Sequence, residues 1–339
     1  MAATVQLLAG DVGGTNTRLT CGTMVDNIWQ PIAEKTYPSI EFNSLTQVVE
    51  LFLAEHVISS MIDAACFAVA GPVENGVASV TNLPWVVTEQ ELEESLAIGQ
   101  VILLNDLVAA AYGISNVQEK DMLTLQSGEV NDKRLPSSDA VVIAAGTGFG
   151  AAHLVYLDNH YHAYSSEAGH VGFAPENIQQ NKLLAWLQEK HSHVSQEMLL
   201  SGKGLTTIYQ FLHEVVGLPD SIDIHTVTQV KDPAQVISDH ALRGEDFLCQ
   251  KTLEMFVDIY GAVAGDMVLQ YYPVGTLYIT GGIAPKIKHK LLGSRFITAY
   301  RNKGLMSINM KKITIKLLLQ EKVGLYGALD YVANKFNEA

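Results

Sequence analysis

Cysteine is scarce. Cys21, Cys66 and Cys249 are an odd number, far apart, with no C-x-x-C pair. That excludes a disulfide framework and a cysteine-ligated zinc cluster as organising features, and makes a reducing, cytoplasmic setting the expected one. Cationic side chains are also few. Lys and Arg number 22 against 36 Asp and Glu, for a net charge of −14. Such a surface repels phosphate backbones, so no nucleic-acid partner is expected. A small anion remains compatible, because backbone amides and local dipoles act independently of net charge. Long apolar runs are missing too. The longest, residues 140–157, is broken by Gly146, Thr147, Gly148, Gly150 and His153. It reads as strand, turn, strand, and no membrane association is expected. No basic stretch precedes an apolar run at the N-terminus, so no signal peptide is expected.

What remains is a chain of 339 residues, 48% hydrophobic and only 17% charged. That composition suits a well-buried globular core and excludes a mostly disordered chain. The length fits two domains, or one large one. Residues 5–11 form an apolar run ending in an acid, a strand buried on both faces. A glycine turn and a returning strand at 17–24 follow. Apolar spacing predicts a helix over 44–55, and Thr88 with Glu91 predicts a capped helix through Leu96. Strands are expected at 64–70 and 101–104. The polar stretch 127–138 is the best linker candidate. Residues 140–158 then repeat the strand–glycine turn–strand unit of the N-terminus, which suggests an internally duplicated architecture. The second half is mostly helical, with Asp232-Pro233 opening one helix and a long helix over 245–271. Late strands are expected at 276–280 and 313–319, and a closing helix at 325–336.

Four motifs carry candidate chemistry. The first is Gly10, Asp11, Val12, Gly13, Gly14, Thr15, Asn16. Glycines let backbone amides approach phosphate oxygens closely, and Thr15 adds a hydroxyl. Asp11 offers a hard oxygen ligand to Mg2+. The same residues would serve an ordinary hairpin turn, and no G-K-[ST] follows, so this is not a Walker A loop. Ser201-Gly202-Lys203-Gly204 follows a helical stretch and reads as a helix-linking turn. The second motif, around Gly146, Thr147 and Gly148, repeats the logic, and opposed hairpins can clamp a polyphosphate. Gly281 and Gly282 end a strand and either abut an adenosine or make a tight connection.

The third motif is Asn105-Asp106 at the carboxyl end of a strand, where open α/β sheets gather ligand-handling residues. Asp106 can accept a proton from a hydroxyl that attacks phosphorus. It can equally cap the helix that follows. In the fourth constellation, Glu167, His170 and Glu197 suit hydrogen bonding to several hydroxyls. Glu197 alternatively sits in the first turn of a helix capped by Ser195, and His170 in a turn. His191 and His193 suit a solvated helix end better than a metal site, and His160 and His162 receive no role. Trp85 is a packing anchor, while Asn82 is within reach of a ligand.

The ordered set G-D-V-G-G-T-N, T-N-x-x-W, L-N-D, G-T-G-x-G and E-x-G-H resembles the bacterial glucokinase family of the actin-like ATPase (ribonuclease H-like) sugar kinases, from residue 10 to about 330. The resemblance implies a two-domain α/β fold with a deep interdomain cleft that binds ATP and glucose, at 1–115 plus 322–339 and at 116–321. It implies a homodimer as the assembly, ATP and Mg2+ as cofactors, and transfer of the γ-phosphoryl of ATP to the 6-hydroxyl of glucose. Asp106 matches the family's catalytic base. Asn105, Glu167, His170 and Glu197 match sugar contacts. The Gly10–Thr15 stretch and Gly146 to Gly148 match the two phosphate loops. Three positions depart: Ala168 replaces a usual Gly, Leu107 a common Phe, and Gly172 a frequent Asp. Ala168 is expected to place a methyl beside the sugar contacts. The competing readings are a kinase for another hexose, a non-catalytic sugar-responsive regulator, and a filament-forming or chaperone ATPase.

Overall fold

The computed structural model describes residues 5–26, 28–58, 61–128, 139–157, 160–219, 232–320 and 322–338. Contacts group the chain into two units. One comprises Met1–Gln118, Tyr161–Ser165 and Gln320–Ala339, the other Glu119–His160 and Ser166–Leu319. Apart from Ser127 and Gly128, the linker candidate lies outside the described residues. No helix of the described residues is long and apolar enough to cross a membrane.

The first unit is built on a five-stranded sheet. Its strands are β1 (Val5–Val12), β2 (Asn16–Val25), β3 (Ile28–Pro38), β4 (Ala64–Val69) and β8 (Val101–Asn105), in the order β3-β2-β1-β4-β8. Short strands β5 (Val73–Glu74), β6 (Val77–Ser79) and β7 (Val86–Thr88) make a separate small sheet. The largely apolar runs of β1 and β4 follow from burial on both faces. Leu8, Val12, Ala65, Phe67 and Val69 enter one core cluster. Their alternates Leu7, Ala9, Ala64, Cys66 and Ala68 enter another, with the C-terminal helix Val323–Glu338. Helices α1 (Leu45–Glu55), α2 (Glu89–Leu96) and α3 (Asp106–Gly113) follow their strands. Ser44 caps α1 and Thr88 caps α2. Edge strand β3 escapes sequence detection, because nearly all its side chains are exposed and Pro31 interrupts it.

Register decides what this sheet does. Val12 stands beside Val69, and Val69 beside Asn105, in parallel pairing. The chain segments that leave β1, β4 and β8 therefore emerge from one edge, which brings Gly13, Gly71 and Asp106 to the same end of the sheet.

The second unit repeats the plan. Strands β9 (Met122–Gln126), β10 (Ala140–Ala145), β11 (Phe149–Leu157), β13 (Thr276–Thr280) and β14 (Thr314–Leu318) run in the order β11-β10-β13-β14-β9; β12 is His160–Ser166. As in the first unit, an antiparallel hairpin is extended by two parallel strands. This is the duplication that the paired hairpins suggest. Helices α4 (Ile178–Gln188), α5 (Gly202–Glu214), α6 (Pro233–Arg243), α7 (Phe247–Gln270) and α8 (Ser294–Arg301) pack around it. Asp232 caps α6 with Pro233 at its first turn, and Asp246 caps α7. The three cysteines are buried free thiols.

Candidate active site

In the first unit, the N-cap of α3 is Asn105 and not Asp106. Asn105 caps α3, its Oδ1 accepting the Leu107 N–H at 3.0 Å and the Val108 N–H at 3.3 Å. Its Nδ2 donates to the Gly71 carbonyl oxygen at 3.0 Å, fixing the side chain from both ends. Asp106 thus occupies the first helical position, with Oδ1 accepting the Leu107 N–H at 2.8 Å. Burial, together with the negative charge of Asp11, pushes the Asp106 carboxyl up to about 7. Burial also raises Asp11, against the pull of Arg18, whose guanidinium lies 4.0 Å away. Arg18 is the cross-strand partner of Asp11, and period-2 spacing across a hairpin is the signal that would have found it.

A raised carboxyl makes stability depend on pH. An unfolded Asp titrates near 3.9. Between that value and about 7 the folded chain holds more protons than the unfolded one. The stability this group contributes is full below the lower value and is lost as pH rises through the upper. In metal-free buffer, the melting temperature of Asp106→Asn relative to the parent is expected to climb from about pH 5 to about pH 8. A difference that does not change with pH would contradict the raised carboxyl.

The first glycine loop is held from positions distant in sequence. Ser39 Oγ donates to the Gly13 carbonyl oxygen at 2.8 Å, and the Ser39 N–H donates to the Thr15 carbonyl oxygen at 2.9 Å. A Cβ added at Gly14 would stand 2.6 Å from the Thr81 carbonyl oxygen. Gly14 therefore lets the loop lie against 81–82, and Asn82 borders it with a left-handed backbone, φ 64°. Trp85 is the expected anchor, 2% exposed, with Nε1 donating to the Phe42 carbonyl oxygen. Thr15 and Asn16 face solvent. Gly324, in the first turn of the C-terminal helix, also faces Asp11: a Cβ added there would stand 3.6 Å from its carboxylate. Neither Ser39 nor Gly324 has a local sequence signal, since each is brought in by tertiary folding alone.

In the second unit, the Gly146 turn, Gly281 and Gly282 come together, as do the hairpin and Glu197. The Ile283 N–H donates to the Ala145 carbonyl oxygen, and Gly281, φ 89°, lies so close to Ala145 that only glycine fits. Gly202 N–H donates to the Gly146 carbonyl oxygen at 2.9 Å. Ser201 caps α5, its Oγ accepting the Gly204 N–H. Residues 201–204 are thus a cap and first helical turn, which corrects their reading as a linking turn. Ser195 is buried in a bridge with Gly172 and opens no helix, so Glu197 lies in a turn. Glu197 Oε2 accepts the Phe149 N–H at 3.0 Å, and its own N–H donates to the Gly169 carbonyl oxygen at 2.9 Å.

Glu167 and His170 are exposed and 3.8 Å apart, Glu167 just before the short 3-10 turn Ala168–His170 and His170 at its end. His193 Nε2 donates to the His170 carbonyl oxygen at 2.8 Å. The Ala168 methyl, expected beside the sugar contacts, is buried. It is 5% exposed and belongs to the core. Gly169 is the position that tolerates no side chain, since a Cβ there would meet the Phe149 carbonyl oxygen at 2.0 Å.

Two units of one sheet plan, each opening glycine loops at the carboxyl ends of its strands, are the actin-like ATPase/hexokinase fold of sugar kinases. A glucokinase from an Antarctic psychrotroph matches with a TM-score of 0.79 and 33% identity, over 97% of this chain and 99% of that one. A Balamuthia mandrillaris glucokinase crystallised with glucose shares the fold at 20% identity and a TM-score of 0.79, over 98% and 94% of the two chains. The glucokinase of Nostoc sp. is 38% identical over 340 aligned residues, 95% of this chain and 97% of its own. The glucokinase family model matches residues 8–335, and the chain belongs to that family.

Proposed function

We propose that this chain transfers the γ-phosphoryl of ATP to the 6-hydroxyl of glucose, with Asp106 as the base. The observation that carries this reading is the relief of Asp106 from capping. Asn105 takes that duty, leaving a carboxylate with a raised proton affinity at the mouth of a strand. A carboxyl near 7 accepts a hydroxyl proton more readily than one near 4, because the best general base titrates near working pH. Phosphoryl transfer passes through a loose transition state, so positioning and electrostatics supply most of the catalysis. Gly10, Asp11, Val12, Gly13, Gly14, Thr15 and Asn16 hold phosphates on the first unit, and Gly146, Thr147 and Gly148 do so on the second. Gly281 and Gly282 bound the adenosine. Asn82, Asn105, Glu167, His170 and Glu197 bind sugar hydroxyls.

No group of three or more His, Cys, Asp or Glu among the described residues would hold a metal by itself. That fits Mg2+ arriving with ATP, bound by Asp11 and otherwise by phosphate oxygens and water. When bound, the ion offsets charge on the phosphates. We take the domains at 1–115 plus 322–339 and at 116–321, the assembly as a homodimer, and the compartment as the cytoplasm. Three buried free thiols suit that compartment.

A panel of glucose, fructose, mannose and N-acetylglucosamine in a coupled ADP assay tests the substrate, and 31P NMR tests the product. Glucose is expected to give the highest kcat/KM and a single 6-phosphate product. A different preferred sugar, or phosphate at another hydroxyl, would overturn the assignment.

A further inference from the structure

We propose that Glu197 is a mechanical link between the sugar site and the second phosphate hairpin, so that each substrate sets the other's affinity through one carboxylate. The inference rests on the reading of Glu197 as a sugar contact and of Gly146, Thr147 and Gly148 as a phosphate loop.

The geometry is confined to the second unit. Glu197 Oε2 accepts the N–H of Phe149, the residue that immediately follows the phosphate turn, at 3.0 Å. The Phe149 side chain is buried in the core, so its amide has a fixed anchor. The Glu197 backbone is tied in turn to Gly169, between the two other proposed sugar contacts Glu167 and His170. Gly169 itself lies against the Phe149 carbonyl oxygen. One residue thus spans the hairpin and the E-A-G-H turn, its carboxylate accepting from the Phe149 N–H and its own N–H donating to the Gly169 carbonyl oxygen.

A carboxylate has two oxygens and about four lone-pair sites, so Glu197 can keep the Phe149 N–H while accepting from a sugar hydroxyl. Charge-assisted bonds of this kind are short and directional. A hydroxyl drawn to the carboxylate therefore fixes the orientation of Oε2 and, through it, the hairpin amides that meet phosphate. Linkage makes the effect reciprocal: a factor by which sugar tightens nucleotide is the factor by which nucleotide tightens sugar.

Gly148 offers the test. A Cβ there would stand 2.4 Å from Glu197 Oε2, while its backbone lies outside the left-handed region and tolerates alanine. Gly148→Ala therefore displaces the carboxylate from within the phosphate loop and adds nothing to Glu167 or His170. Calorimetric titration of glucose into the nucleotide-free protein is expected to show a dissociation constant raised about tenfold in Gly148→Ala. An unchanged glucose constant would overturn the link.

Glu197→Gln, titrated the same way, separates the two levels. If it weakens glucose while Gly148→Ala does not, the link fails and the sugar contact stands. If it leaves glucose unchanged, the sugar contact fails. Should Gly148→Ala not fold, Glu197→Asp replaces it, because a side chain one methylene shorter does not reach the Phe149 N–H from the same backbone. In that variant, saturating glucose is expected to stop tightening a non-hydrolysable ATP analogue. Undiminished tightening would overturn the link.

Discussion

Turnover of Asp106→Asn at saturating glucose and ATP is expected to fall by roughly 100-fold or more. The amide is close to isosteric and keeps an oxygen for the Leu107 N–H that Asp106 Oδ1 accepts at 2.8 Å. It also leaves Asn105 as the helix cap, so α3 keeps its N-terminus. What the amide lacks is a site for the hydroxyl proton. The loss therefore belongs in kcat, and the proposed sugar contacts at Asn105, Glu167, His170 and Glu197 are untouched. A cap or packing role for Asp106 gives the opposite split: a lower melting temperature with turnover per folded molecule preserved. Steady-state kinetics beside a thermal melt distinguishes the two.

Gly327→Val is expected to cost stability on the order of 3 kcal/mol or more, enough to lower the melting temperature by several degrees. A Cβ at Gly327 would stand 1.7 Å from the Ala109 carbonyl oxygen and 2.7 Å from the Gly113 amide nitrogen. All the atoms it meets are backbone, so no rotamer change relieves the clash and the helices must part. The C-terminal helix and α3 touch through small residues for this reason: Gly113, Gly327, Ala109 and Ala328 let the two backbones approach closely. Because α3 begins at Asp106, separating the helices also moves the proposed base. Differential scanning calorimetry with a kinetic assay below the transition measures both effects. A variant that melts with the parent would contradict the close approach.

The strands were legible wherever burial dictated their composition. The runs in β1, β4 and β10 are mostly apolar because both faces of the sheet are covered, and the sequence marks them within a residue or so. The caps were legible as well. Thr88 and Asp232 satisfy amides that a helix start leaves unpaired, and that need is local. Edge strand β3 was not, because its mostly exposed, Pro-containing sequence carries no alternation.

The same division holds at the site. Asp106, the glycine loops and Glu197 stand in local motifs. Ser39, Arg18 and Gly324 act on those motifs from across a sheet or from the far end of the chain. Ala168 shows the limit in the other direction. Its place in the motif suggested a methyl beside the sugar contacts, and in the 3-10 turn Ala168–His170 that methyl is buried in the core. Side-chain direction in a turn depends on backbone dihedrals, which a motif does not state.

The measurement closest to the central claim reads binding and chemistry on a single preparation: calorimetric glucose affinity and glucose-dependent ADP release for Asp106→Asn beside the parent chain. The account predicts glucose bound within about threefold of the parent, with ADP release reduced by two orders of magnitude or more. ADP release near the parent rate from the bound sugar would contradict it.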